Sequence, residues 1–337
     1  MQIVYLDQNK WIDLARAVHQ PTEYPAQRKV LEAIVQKANA KQLALPLTTT
    51  NVYETHKIND PQRRQDLAYV QATLSQGLVF RGRHKRLEVE VTDLLRSAYN
   101  LPPLPRQPQW FLSNVFFEST LEWDDPRLGA RISEKVIDYL RRDPPRMLFE
   151  YLVGIEDDIR RLAVSKFSEG ANKLKEDIEK RRQRDANETM AMRRMIQGAL
   201  LVTNELDLIC TFIEKAQIPN QSETEILRDQ CRRIVTDAPT FNIEREIALR
   251  LEAQQNRFIE ENDLRDMQSF CAVVAYADIV VAENQFSSLT KQGGLDKKYK
   301  TIVSTDLLAL PALLEQTSHS RNADNNKIQT VAAETQK

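Results

Sequence analysis

Glycine is scarce, with eight among 337 residues, and none of them forms a GxGxxG fingerprint or a phosphate-cradling P-loop. Dinucleotide and P-loop nucleotide chemistry are therefore not expected. Cysteine is equally sparse: Cys210, Cys231 and Cys271 make no CxxC pair and no Cys/His metal spacing. Reduced thiols in a cytoplasmic protein are the expectation. The four histidines are scattered, which argues against a histidine-rich zinc site, and no Ser-His-Asp order is present. No apolar run approaches the roughly 18 residues of a spanning helix, so no membrane pass is expected. No basic region precedes the short apolar start, so a signal peptide is not expected either. Charge of one sign is also missing. The net charge of -1 and pI near 6.5 provide no global pull toward nucleic acid, so a polyanionic substrate would need a local basic patch.

What is present suits a helix-rich globular chain, with 42% hydrophobic residues and a mean hydropathy of -0.50. Residues 2–6 read as a buried strand that stops on Asp7. Trp11, Leu14, Ala15 and Val18 then follow helical spacing, and Val30, Leu31, Ile34 and Val35 form a second amphipathic helix. Leu43-Ala44-Leu45-Pro46-Leu47 is expected as a second strand, with its proline near the end. Thr48-Thr49-Thr50 offers caps for a helix carrying Tyr53 and Glu54, and Leu78-Val79-Phe80 reads as a third strand. The order β-α-α-β-α begins a doubly wound sheet.

From about 87 to 260 the periodicity is helical almost throughout. Residues 101–108, rich in proline, read as a stiff loop, and 166–188, dense in both charge signs, as a solvated helix. The α/β texture returns with a helix beginning near Asp263, strands at Ile279–Val281 and Thr301–Val303, and a last helix through Leu307, Leu310 and Leu314. The predicted architecture is an α/β domain formed by 1–83 and 260–316. It is interrupted by an all-helical insertion over 84–259 and followed by a disordered tail over 317–337.

Four acids sit at element ends in this reading. Asp7 follows the first strand, Glu54 lies early in a capped helix, Asp266 opens a helix and Glu283 follows a strand. In open parallel sheets the edge at the strands' C-terminal ends is where ligands bind. Two carboxylates about 4 Å apart repel by about 4 kcal/mol at an effective dielectric near 20. A cluster of four is tolerable only with bound cations or retained protons. Oxygen ligands without His or Cys favour Mg²⁺ or Mn²⁺ over zinc, and ions so held activate water at a phosphodiester. Asp263 is read either as a helix cap or as a further ligand, and Asp278 as a turn residue or outer ligand.

The sequence resembles the PIN-domain nucleases at Ile3-Val4-Tyr5-Leu6-Asp7-Gln8-Asn9 and at Leu47-Thr48-Thr49-Thr50-Asn51-Val52-Tyr53-Glu54. The likeness continues at Asn262-Asp263-Leu264-Arg265-Asp266 and Ile279-Val280-Val281-Ala282-Glu283-Asn284. It covers roughly 1–80 and 260–315, with glutamate at 283 where the family more often has aspartate. The resemblance implies a three-layer α/β/α fold with a parallel sheet, acids binding Mg²⁺ or Mn²⁺, and hydrolysis of RNA by an endoribonuclease of toxin, RNA-processing or defence type. It also implies a role for Asn9 in holding water or a substrate phosphate.

Beyond those acids, Thr50 is a candidate substrate contact or a cap. Arg81, Arg83, Lys85 and Arg86 are a candidate phosphate-binding strip. Trp110, Phe111, Phe116 and Phe117 are read as core in preference to base-stacking groups. A haloacid-dehalogenase-like phosphatase would want an aspartate where Asn9 stands. The non-enzymatic alternative is an inactive PIN-like scaffold whose helical insertion binds a protein partner or a second copy.

Overall fold

The side chains of Gln2–Leu6 divide the molecule into layers. Successive residues of a strand leave opposite faces, so Val4 and Leu6 enter one apolar cluster while Ile3 and Tyr5 enter another. Ile279–Val281 repeats the division, with Ile279 and Val281 on the first side and Val280 on the second. The structure is a computed structural model that describes residues 1–129, 132–254 and 257–317.

The strands are β1 (Gln2–Leu6), β2 (Leu43–Ala44), β3 (Val79–Phe80), β4 (Leu112–Ser113), β5 (Ile279–Val281) and β6 (Ile302–Ser304). The helices of the first half are α1 (Gln8–His19), α2 (Pro25–Asn39), α3 (Thr49–Lys57), α4 (Pro61–Ser75), α5 (Arg83–Ala98), α6 (Glu134–Leu140) and α7 (Pro144–Gly154). Then follow α8 (Asp157–Arg184), α9 (Met190–Asn204), α10 (Leu206–Ala216), α11 (Glu223–Asp237), α12 (Pro239–Ala253), α13 (Glu261–Val273), α14 (Asn284–Gln292) and α15 (Leu295–Tyr299). A further helix covers 310–317.

Four strands form a parallel sheet in the order β2-β1-β5-β6, while β3 and β4 pair antiparallel. The two ladders are joined through Leu47, whose N–H donates to the Leu78 carbonyl at 3.0 Å and whose carbonyl accepts from Phe80 N–H at 2.8 Å. One face of the parallel sheet is covered by α1, α2, α4, α7 and the 310–317 helix, through residues such as Trp11, Ile34, Leu67, Leu148 and Leu314. The other face is covered by α12, α13 and α14, with Ile247, Phe270 and Phe286 fully enclosed. A third cluster gathers Leu87, Leu95, Phe212 and Phe241 from α5, α10 and α12. Each large side chain so enclosed contributes about 1.5–3 kcal/mol relative to exposure. Trp11, with no exposed surface, anchors the helix that directly follows Asp7.

Several expectations are corrected. Pro46 has no N–H to give a ladder, and the strand expected over 43–47 narrows to Leu43–Ala44 with Leu47 as an isolated bridge. The segment 84–259 is not all-helical, because β4 lies inside it and closes on β3. The charge-dense helix is α8, and it is not purely solvated: Ile178 is enclosed in the second cluster and Arg160 and Arg182 are buried. Helices of 84–259 also enter both sheet-flanking clusters, through Leu148 and Leu152 on one side and Ile243 and Leu251 on the other. Phe111 and Phe116 are half-buried and stack on Tyr276 and Tyr151, with centroids 4.7 Å and 4.3 Å apart. The disordered tail expected from 317 lies, beyond Thr317 itself, outside the described residues. Among the described residues no single helix is long and apolar enough to cross a membrane, and α9 with α10 meets the length only as a pair bent by 73°.

Candidate functional site

Asp7 continues the β1 ladder one step, its N–H donating to the Val281 carbonyl at 2.9 Å, and then caps α1. Its Oδ1 accepts the Gln8 N–H at 2.8 Å. The carboxylate is thus fixed where a parallel strand becomes a helix, at the sheet edge where strand C-termini lie. Glu283 occupies the equivalent place after β5, as the residue preceding α14. Asp7 follows a local rule, since a short polar acceptor at a strand end meets the free N–H groups of the next helix; Glu283 precedes α14 without capping it through its side chain.

Glu54 arrives on α3, whose start is set by a capping box. Thr48 Oγ1 accepts the Asn51 N–H at 3.4 Å, and Asn51 Oδ1 accepts the Thr48 N–H at 3.0 Å. Asn51 also donates through Nδ2 to the Leu6 carbonyl at 3.5 Å and to Gln8 Oε1 at 3.3 Å, tying α3 to the end of β1. Asp266 arrives on α13, which is tied to the same corner by Ser269. That hydroxyl lies 3.4 Å from Thr48 Oγ1 and is hydrogen-bonded to the Tyr5 hydroxyl.

The four acids feel one another. Burial, followed by the charges of Asp7, Glu54 and Glu283, pushes Asp266 up to about 8. Burial and the charge of Asp7 push Glu54 up to about 7, against the opposing pull of Arg265 and Lys57. Asp7 is raised by burial and by Glu283, while its hydrogen bond from Gln8 N–H and the charge of Lys10 act the other way. Near neutral pH the cluster relieves its repulsion by retaining protons on Glu54 and Asp266.

The remaining candidates divide. Asn9, exposed on the first turn of α1, donates through Nδ2 to Glu283 Oε1 and so sits at the rim of the cluster. Thr50 is buried in the first turn of α3, and its hydroxyl has no protein partner. Asp263 is engaged elsewhere: its carboxylate takes two hydrogen bonds from Arg257, at 3.0 Å and 2.7 Å, and one from Glu260 N–H at 2.8 Å. It is the N3 member of the α13 capping box, a structural duty. Asp278 stands at the start of β5, the sheet edge opposite Asp7, where its Oδ2 accepts the Ile3 N–H at 2.7 Å.

The basic strip is also turned inward. Arg81 is paired with Glu118 at 2.8 Å and with Glu122, Arg83 with Glu244 at 2.6 Å and Glu205 at 2.9 Å, and Lys85 with Glu88 at 2.6 Å. Arg86 is buried and donates to the Arg81 carbonyl. Arg81, Arg83 and Lys85 are thus paired with acids of the chain, and Arg86 with a backbone carbonyl.

Two groups escaped the sequence reading. Arg265, 5% exposed, donates through Nη1 to Glu54 Oε1 at 3.1 Å and lies over the Tyr53 ring at 5.8 Å. Behind Asp7, a buried amide network joins α1, α3 and α4. Gln8 Nε2 donates to Thr55 Oγ1 at 3.0 Å, Thr55 donates to Gln71 Oε1 at 2.8 Å, and Gln71 Nε2 returns to Gln8 Oε1 at 3.1 Å. Gln8 beside Asp7 is the one local signal for it; the partners come from 47 and 63 residues away.

The donor set of Asp7, Glu54, Asp266 and Glu283 is all carboxylate, the chemistry of a hard divalent cation. As the side chains stand, however, no group of three or more His, Cys, Asp or Glu among the described residues is arranged to hold a metal ion. The chain matches no protein-family model, no curated protein and no solved structure.

Proposed function

We propose that this protein is a divalent-metal-dependent nuclease of PIN-like type, an endoribonuclease that hydrolyses phosphodiester bonds at the Asp7, Glu54, Asp266 and Glu283 cluster. One observation carries the reading. Acids separated by more than 250 residues of sequence meet at one edge of a parallel sheet, close enough to raise each other's proton affinity. Structural acids are normally paired with cations; a cluster facing itself is a feature of working sites.

In this reading Asp7, Glu54, Asp266 and Glu283 would hold Mg²⁺ or Mn²⁺. The bound ion would lower the pKa of a coordinated water and neutralise charge developing on the phosphate. The chain's own part is to orient these acids. Gln8 N–H and the Gln8-Thr55-Gln71 network hold the start of α1 and so the direction of Asp7. Arg265 holds Glu54. Glu54 and Asp266 retain protons near neutral pH and give them up as ligands, so activity is expected to rise through neutral pH. Asn9 and Lys10, on the first turn of α1, are the polar donors beside Asp7 for a scissile phosphate. The choice of RNA over DNA rests on the sequence resemblance.

The test is incubation of the protein with labelled single-stranded RNA and DNA in Mg²⁺, Mn²⁺ or chelator, beside Asp266→Asn. Cleavage of RNA that requires metal and drops roughly a hundredfold or more in the variant is expected. Cutting that ignores chelator or survives the substitution removes the reading. A second reading, an inactive scaffold with PIN-like architecture, is favoured by one observation: Glu54 and Glu283 are already engaged by Arg265 and Asn9. Absence of cleavage with every metal, combined with an unchanged melting temperature on adding metal, would favour it.

A further inference from the structure

A cavity of about 500 Å³ lies between α8, α9, α12 and α13, and none of the four clustered acids lines it. Its apolar wall is made by Phe80, Leu174, Ile178, Leu200 and Met267. Its polar wall carries Arg83, Arg86, Arg181 and Arg245, against only two carboxylates, Glu244 and Asp177. Both carboxylates have cations of their own, Glu244 through Arg83 and Asp177 through Lys180. Arg181 in turn is satisfied by Glu252 at 2.6 Å.

That leaves Arg86 and Arg245. They are 4% and 8% exposed, and in each the Nε–H has no hydrogen-bond partner in the protein. Arg86 has no carboxylate within ion-pair distance among the described residues, its Nη1 going to the Arg81 carbonyl. Arg245 shares a single carboxylate, Glu246, with Arg194 and Arg250. A buried guanidinium with an unused donor is costly unless an acceptor meets it. Thr48 and Thr49 add the N-terminal end of α3 to the same wall, where the helix dipole favours negative charge.

We propose that this cavity binds a small organic anion, with a phosphate or carboxylate head on Arg86 and Arg245 and an apolar body against Phe80, Leu174, Leu200 and Met267. The volume suits a molecule of mononucleotide size. The site is separate from the acid cluster and does not depend on the nuclease reading.

The test is calorimetric titration of the full chain, carried out in chelator on Asp7→Asn so that cleavage and metal binding play no part. Adenosine 5′-monophosphate and decanoate are the two probes, representing a phosphate and a carboxylate source of the same chemistry. Adenosine and inorganic phosphate are the controls for the body and head of the nucleotide, and decanol and acetate for those of decanoate. Binding of at least one probe with Kd below about 1 mM is expected. That probe should bind at least tenfold more tightly than its matching controls. Ala248→Trp, which fills the cavity, and Arg245→Lys, which keeps the charge but loses the guanidinium fork, should each weaken it at least tenfold. If the tryptophan variant does not fold, the lysine variant carries the comparison. The proposal is overturned if neither probe binds, if no probe that binds does so more tightly than its matching controls, or if a folded variant binds that probe like the parent.

Discussion

Arg265 Nη1 donates to Glu54 Oε1 at 3.1 Å, joining α13 to α3 across 211 residues of sequence. The pair does two things at once. It gives a buried guanidinium its carboxylate, and it limits how far the neighbouring Asp7 can raise the Glu54 carboxyl. Glu54 titrates at about 7 with the arginine in place.

Arg265→Met should therefore move the Glu54 titration to higher pH, because the largest remaining influences, burial and the Asp7 charge, both favour the protonated acid. Carboxyl-detected NMR on glutamate-labelled protein, without divalent metal, reads this directly. A midpoint that stays or falls would show that Arg265 is not what restrains Glu54.

The same cluster sets the sign of the pH dependence of stability. Glu54 and Asp266 have folded-state values of about 7 and about 8, above their ordinary carboxylate values. Their contribution is complete at about pH 4 and is lost as pH rises through about 8, since the folded state holds protons that the unfolded chain has released. Glu122, also raised to about 7, acts in the same sense. His56 acts oppositely. Burial and the charges of Arg160 and Arg64 hold it down to about 4, so its contribution is complete above about 6.5 and is lost as pH falls toward 4. Urea melts in chelator should show Asp266→Asn flattening the alkaline limb and leaving the acid limb unchanged. An alkaline limb of equal slope in the variant would mean that Asp266 is not the proton holder.

Divalent ions should raise the melting temperature of the wild type more at pH 8 than at pH 6, because ligand carboxylates must shed their protons first. At a hundredfold excess over Kd, an ion that binds only the folded state adds about 2.7 kcal/mol. Asp266→Asn should lose most of this gain. An equal melting shift in the variant would place the ion elsewhere.

Gln8→Leu tests the network behind Asp7. The change leaves Asn51, Thr55 and Gln71 without a shared partner in a buried space. A stability loss of about 1–3 kcal/mol is expected, together with a larger fall in cleavage than stability alone explains. If cleavage tracks only the folded fraction, the network supports the fold and does not aim Asp7.

Much of this was legible in the residues themselves. The strand ending at Asp7, the cap at Thr48, the helix around Asp266 and the strand before Glu283 all arise from local alternation, periodicity and end-capping. Those signals act over a few residues and survive whatever packs around them. What the basic run from Arg81 to Arg86 faces was not legible, because charge alone does not say what lies opposite. Glu205 and Glu244, its partners at Arg83, stand 122 and 161 residues away. Which of its two readings fits Asp278 was not legible, because β5 is only three residues long, so its two ends lie close in sequence yet on opposite edges of the sheet.

By itself the sequence determined most of the strands and helices around the acids, and that Asp7 and Glu283 stand between a strand and a helix, because short-range sterics and hydrogen bonding decide such matters. The tertiary structure alone decided that Asp7, Glu54, Asp266 and Glu283 share one corner. It also decided that Arg265 restrains one of them and that two arginines are left with unused donors beside a cavity. Each is a pairing across long stretches of chain, and its energy exists only once packing has excluded water.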